Sequence, residues 1–272
     1  METQSLWLGA LRRPMRVLMI VLVAALVLVW LWLAIGSLFL GSGIDMSAIL
    51  RPGDNVLVKL MLWLLLAVSL VASVYLSDTK GAIEVVPTGP IDILSLILSR
   101  LAMIAIVVIV GVMFYEVVAR YLFAKPTLWA NELSLWLAGF VFLLAGLYSM
   151  QQRSHIRIYT IYDMMPRWAQ KAADTFTVVL IWAFFIALLW GGYDEVRDKL
   201  LRMETFGTAW DPPIPSTIKA GIVLIIGLVA LQALSNLIAD WNKAAELHTA
   251  ADEIDEHEIA NLKKALGADD NG

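Results

Sequence analysis

An all-α membrane protein, a polytopic bundle of about six transmembrane helices, is the architecture this chain predicts, and two observations carry it. The first is composition: 60% of the 272 residues are hydrophobic and 16% charged, with a mean hydropathy of +0.76, too apolar for a soluble globule of this length. The second is arrangement. The apolar residues fall in continuous windows of about 20, the length a helix needs to cross a hydrocarbon core roughly 30 Å thick. Closed barrels need alternating segments of about ten residues, which these runs are not.

In chain order, the first window runs from about Val17 to Leu40 and the second from Asn55 to Ser77. The third covers Leu94 to Ala119, the fourth Trp129 to Met150, the fifth Ala172 to Tyr193 and the sixth Thr217 to Trp241. "LRRPMR" before the first window resembles the start of a signal peptide, but the apolar run behind it is too long and lacks a good cleavage site, so it reads as a retained helix. Residues 1–80 form an amino-terminal transmembrane hairpin. The polar linker 81–90, punctuated by Gly81, Pro87, Gly89 and Pro90, separates it from a four-helix unit over 91–243. Residues 244–272 are an acidic tail, expected to form a short solvated helix with a frayed end. "DPPIP", residues 211–215, should stop one helix and start the next.

Lys and Arg placement sets the expected orientation. With the amino terminus inside, eleven lie on cytoplasmic segments and eight outside, leaving Arg100 unassigned. Six spans then place both termini in the cytoplasm.

Composition also excludes classes of function. The absence of cysteine removes disulfides, thiolate metal sites and thiol catalysis. The small net charge of -4 leaves no basic stripe for nucleic acid. No phosphate-binding loop, H-E-x-x-H, G-x-S-x-G or Ser/His/Asp set can be assembled, so no enzymatic activity, cofactor or metal is expected. Paired Gly/Pro interruptions at mid-membrane, which mark the substrate sites of secondary transporters, are missing too.

The chemistry-bearing residues cluster in "EVVARYLFAKPTLWANELSLW", residues 116–136. Glu116 and Arg120 stand four apart on the outer end of the third helix, where they can neutralise each other or simply snorkel at the interface. Lys125 and Pro126 break that helix. Tyr121 and Trp129 suit the aromatic belt. Glu132, one turn into the fourth helix, needs a partner: Arg120 across the turn, or a residue of another chain. Ala130, Ser134, Ala138 and Gly146 recur at spacings of four or eight, a stripe suited to close helix packing within this bundle or against another subunit. In the segment after the fourth helix, Arg153, Arg157 and Arg167 are expected to face lipid phosphates from an interfacial helix, with Ile156, Ile158, Ile161, Met164, Met165 and Trp168 on the membrane side. His155, without ligating neighbours, reads as a local hydrogen-bonding residue.

From about Ile91 to Trp241 the chain resembles the small permease subunit of tripartite ATP-independent periplasmic (TRAP) transporters, the DctQ-like family. The resemblance rests on "EVVARYLF", the W and EL of "LWANELSLW", Gly146, and "HIRI" after it. Family members often carry an acidic residue where this chain has Tyr159, and the amino-terminal hairpin lies outside the usual four-helix pattern. The resemblance implies a large multi-spanning permease subunit as partner, a periplasmic binding protein that delivers an organic acid, and cation-coupled uptake. This chain would then be a scaffold in the bacterial inner membrane, with Glu116, Arg120 and Glu132 fixing helices to each other and to the large subunit. A self-sufficient channel or transporter, and a sensor or assembly factor using the acidic tail, are the competing readings.

Overall fold

The computed structural model describes residues 5–39, 46–81, 84–153, 162 and 164–243. Among the described residues the chain forms seven α-helices: α1 (Arg12–Phe39), α2 (Ser47–Leu50), α3 (Val56–Ser77), α4 (Pro90–Leu122), α5 (Trp129–Gln151), α6 (Arg167–Leu201) and α7 (Ile214–Asp240). A single 3-10 turn, Gly9–Leu11, precedes α1. All except α2 are long and apolar enough to cross a membrane, as the six windows predict.

Helix boundaries follow local chemistry. Asn55 caps α3, its Oδ1 accepting the N–H groups of Leu57 and Val58 at 3.1 and 3.2 Å. Pro90 opens α4, and Pro213 and Pro215 frame the start of α7, positions where a missing N–H costs nothing. The fifth helix is longer than its apolar window. At 35 residues α6 spans about 52 Å, well beyond the hydrocarbon core. Its polar end continues as helix because four-residue charge pairs support it: Glu195 with Lys199 at 3.8 Å and Asp198 with Arg202 at 3.3 Å.

The helices pack in a row that departs from chain order. α1 lies on α3, α3 on α4, α4 on α5, α5 on α7, and α7 on α6. At the centre, α4, α5 and α7 meet around Ala102, Leu144, Leu147 and Ile225. Lipid tails are as apolar as leucine, so close packing rather than water exclusion draws such helices together. Gly139 permits it on α5: a Cβ there would stand 2.7 Å from Ile218 Cδ1 of α7. Gly227 of α7 likewise faces the Phe185 ring of α6, 3.1 Å from the position of a Cβ. No residue in the most apolar window of α6 is buried, leaving that helix mostly facing outward.

Antiparallel alternation gives the molecule two ends. The linker end carries residues 78–81, 84–89, 152–153, 164–166 and 241–243. The loop end carries residues 46–55, 123–128 and 202–213.

Candidate functional site

At the loop end the structure gathers the charged stretch, but in two separate groups. Glu116 is buried, and its carboxylate accepts the Arg120 Nε at 2.9 Å and the Thr127 N–H at 2.9 Å, with further bonds from Arg120 Nη2 and the Thr127 hydroxyl. The four-residue spacing therefore yields an intrahelical pair, and the second carboxylate oxygen pins the turn that leads into α5. Ala124, with φ +52, bends the chain there. Tyr121 is exposed, whereas Trp129 is half-buried and stacks on Tyr115 at 5.8 Å between ring centroids.

Glu132 is placed elsewhere. It accepts the Thr208 hydroxyl at 2.7 Å and the Asp211 N–H at 3.2 Å, both from the loop joining α6 and α7. Its bonds thus run to a segment 76 residues away rather than to Arg120. Spacing holds no trace of that contact.

Within this chain, the small-residue stripe is only partly a packing surface. Ala130 and Ser134 are buried, and the Ser134 hydroxyl meets no partner among the described residues. Ala138 is half-buried. Gly146 is exposed, with nothing within 4 Å of where its Cβ would lie, so the close approach falls at Gly139 instead. Gly139 and Gly146 stand seven residues apart and nearly share a helix face, so they differ in what lies opposite them at each depth: Ile218 of α7 at Gly139, and nothing from this chain at Gly146.

At the linker end, Arg153 and Arg167 turn inward instead of facing lipid phosphates. Arg153, at φ +57, directs its guanidinium at the Asp240 carboxylate, 2.6 and 3.1 Å away. Arg167 donates to the backbone carbonyls of Asp240 and Lys243 at 3.1 and 2.8 Å, covering the carbonyl end of α7, where positive charge is favoured. Met164 and Trp168 are exposed, the latter within α6. His155, Arg157, Tyr159, Ile156, Ile158, Ile161 and the 244–272 tail lie outside the described residues.

Three polar hubs at the linker end escaped the sequence reading. Asp78, fully buried, accepts the Trp7 and Leu8 N–H groups at 2.8 and 2.9 Å, the Ser5 hydroxyl at 2.9 Å and Arg12 Nη1 at 2.8 Å. Buried Arg100 donates to the Thr79 carbonyl at 3.0 Å and to Glu84 at 2.5 Å, and Glu84 also accepts the Tyr148 hydroxyl at 2.9 Å. Between α4 and α7, Gln232 donates to Asp92 at 2.6 Å and accepts the Ser95 hydroxyl at 2.8 Å. Each hub pairs residues more than a dozen positions apart, which is why helical spacing is blind to them.

Burial raises the Asp78 pKa, but the Leu8 and Trp7 amides, the Ser5 hydroxyl and the Arg12 guanidinium outweigh it and hold the carboxyl below its ordinary value. Burial raises Glu84 likewise, and Arg100, the Gly81 amide and Tyr148 bring it below. Asp211 is lowered chiefly by the Gly207 amide and the Thr205 hydroxyl.

Six apolar helices tied at their ends by internal hydrogen bonds define a multi-pass α-helical membrane protein. Residues 109–243 match the family model for tripartite ATP-independent periplasmic transporters, DctQ component, and the chain belongs to that family, a transporter component. The match begins midway along α4 and ends just past α7. The chain is also 22% identical over 101 residues to the sialic acid TRAP transporter permease protein SiaT of Haemophilus influenzae (strain 86-028NP). That alignment covers 37% of this chain and 16% of the relative, so the chain spans only a small part of that protein's length. No solved structure matches.

Proposed function

We propose that this chain is the small membrane subunit of a TRAP-type secondary transporter and serves as a fixed frame for the large substrate-translocating subunit. In this reading it lies in the bacterial inner membrane with both termini cytoplasmic and has no catalytic chemistry of its own. The large subunit carries an organic acid by cation symport, after a periplasmic binding protein delivers it.

One observation supports the frame most directly. The buried carboxylates Asp78, Glu84, Asp92 and Glu116 all receive donors from within the chain, so their charge locks helix ends together rather than lining a path. The outward apolar face of α6, where Ala183, Ala187 and Gly191 form a shallow groove beside Trp190, offers the large subunit and surrounding lipid a broad contact.

The test is capture of the tagged chain from its native membrane under mild extraction, with mass spectrometry of what stays bound. A stoichiometric large polytopic partner is expected; recovery of this chain alone would overturn the frame. Neutralising Arg120 or Glu132 should lower recovery of that partner more than it changes substrate affinity of the remaining complex. Full recovery with weakened substrate binding would move these residues to the transport path.

A further inference from the structure

We infer that the loop 202–213 is a strap that fastens the amino-terminal hairpin to the four-helix unit, with Glu132 as its anchor on α5 and Trp210 as its attachment to the hairpin. The inference concerns this chain alone and does not depend on the proposed transport role.

The loop is longer than its connection needs. α6 and α7 are packed neighbours, and such helices are commonly joined by about 2–8 residues. Here the chain instead folds on itself and crosses to other elements. The Phe206 N–H donates to the Pro212 carbonyl at 3.0 Å, and the Gly207 N–H to Asp211 Oδ1 at 2.8 Å. Gly207 and Asp211 adopt positive φ, +78 and +61, which glycine and aspartate tolerate better than most residues. That shape presents the Asp211 N–H and Thr208 hydroxyl to Glu132 on one side. On the other it places Trp210 and the Asp211 carboxylate against the hairpin.

Trp210 is the stronger of these two hairpin contacts. Although on a loop it is only 8% exposed, and its indole N–H donates to the Met46 carbonyl at 2.9 Å, across 164 residues of sequence. A buried indole with its N–H satisfied joins large contact area to a directional bond. Arg51 and Asp211, 3.5 Å apart with the arginine largely exposed, add little by comparison. Polar and aromatic fasteners matter here because α3 and α4 meet within lipid, where no hydrophobic drive selects one relative tilt over another. At the opposite end Arg100 of α4 holds the hairpin through the Thr79 carbonyl, while the Asp78 hub ties the start of α1 to the end of α3 within the hairpin. Attached at both ends, the hairpin becomes a rigid extension of the four-helix unit.

The natural absence of cysteine makes the test clean. Val56→Cys and Leu128→Cys, both exposed positions at the loop end, carry spin labels on the full chain in nanodiscs, and the pair distance is read by pulsed electron resonance. A Leu128→Cys and Leu224→Cys pair, within the four-helix unit, is the folding control. The parent should give one narrow hairpin distance. Trp210→Ala and Glu132→Ala should each broaden it and shift it longer while the control pair stays narrow, with Trp210→Phe in between. If either alanine variant loses the control distance, Trp210→Phe and Glu132→Gln decide in its place. A hairpin distance already broad in the parent, or one equally narrow in every variant, overturns the strap.

Discussion

Asp78 illustrates how one residue can organise a chain end. It terminates α3, yet its carboxylate collects two backbone amides, a hydroxyl and a guanidinium from residues 5–12, and Arg12 also lies over the Tyr75 ring at 5.6 Å. Asp78→Asn keeps an Oδ1 for the Ser5, Trp7 and Leu8 donors but weakens all three bonds and turns an amide NH2 toward Arg12, so it should cost about 2–3 kcal/mol, read as a lower unfolding temperature in detergent. The pH dependence has a definite sign. A carboxyl whose folded pKa is depressed contributes stability that is fully present above its unfolded value, about 3.9, and is lost as pH falls through the folded value. The gap between parent and Asp78→Asn should therefore be constant near neutrality and shrink as pH drops below about 4. A gap that stays constant down to low pH would assign the stability to shape alone.

At the scale of the element, α5 separates what spacing suggests from what contact decides. Gly139 sits against Ile218 of α7, so Gly139→Leu must displace that side chain and should destabilise by about 1–3 kcal/mol. Gly146→Leu, facing open space, should leave the unfolding temperature nearly unchanged. The opposite ranking would mean that α5 packs through the stripe read from sequence. α4 shows a different logic. Its buried Arg100 depends on the Thr79 carbonyl and Glu84, both supplied by the segment before the helix.

For the whole molecule, that dependence couples the four-helix unit to the end of the hairpin through Thr79 and to the linker through Glu84. A chain shortened to residues 85–243 strands Arg100 without its acceptors and should lose about 3–5 kcal/mol. Arg100→Leu within the shortened chain should restore part of that loss, because an apolar side chain needs no partner; the same substitution in the full chain should destabilise, leaving Glu84 without its cation. Equal stability of full and shortened chains would show the hairpin to be an independent attachment. The row of helices, α1, α3, α4, α5, α7 and α6, also leaves α6 at one edge and α1 at the other, each with wide apolar faces for lipid or a partner.

The sequence by itself determined the class of protein, the six spans and their breaks, because hydrophobic length, prolines and caps act over a few residues. It also made the Glu116–Arg120 pair legible, since four residues bring two side chains to one helix face. Only the tertiary structure decided the partner of Glu132, the inward turn of Arg153 and Arg167, the burial of Asp78, and the choice of Gly139 over Gly146. These rest on which faces of which helices meet, and in lipid that choice is made by shape and by polar contacts between segments far apart in the chain. No local pattern records it, and Trp210, one tryptophan among eleven, becomes distinctive only once it reaches Met46.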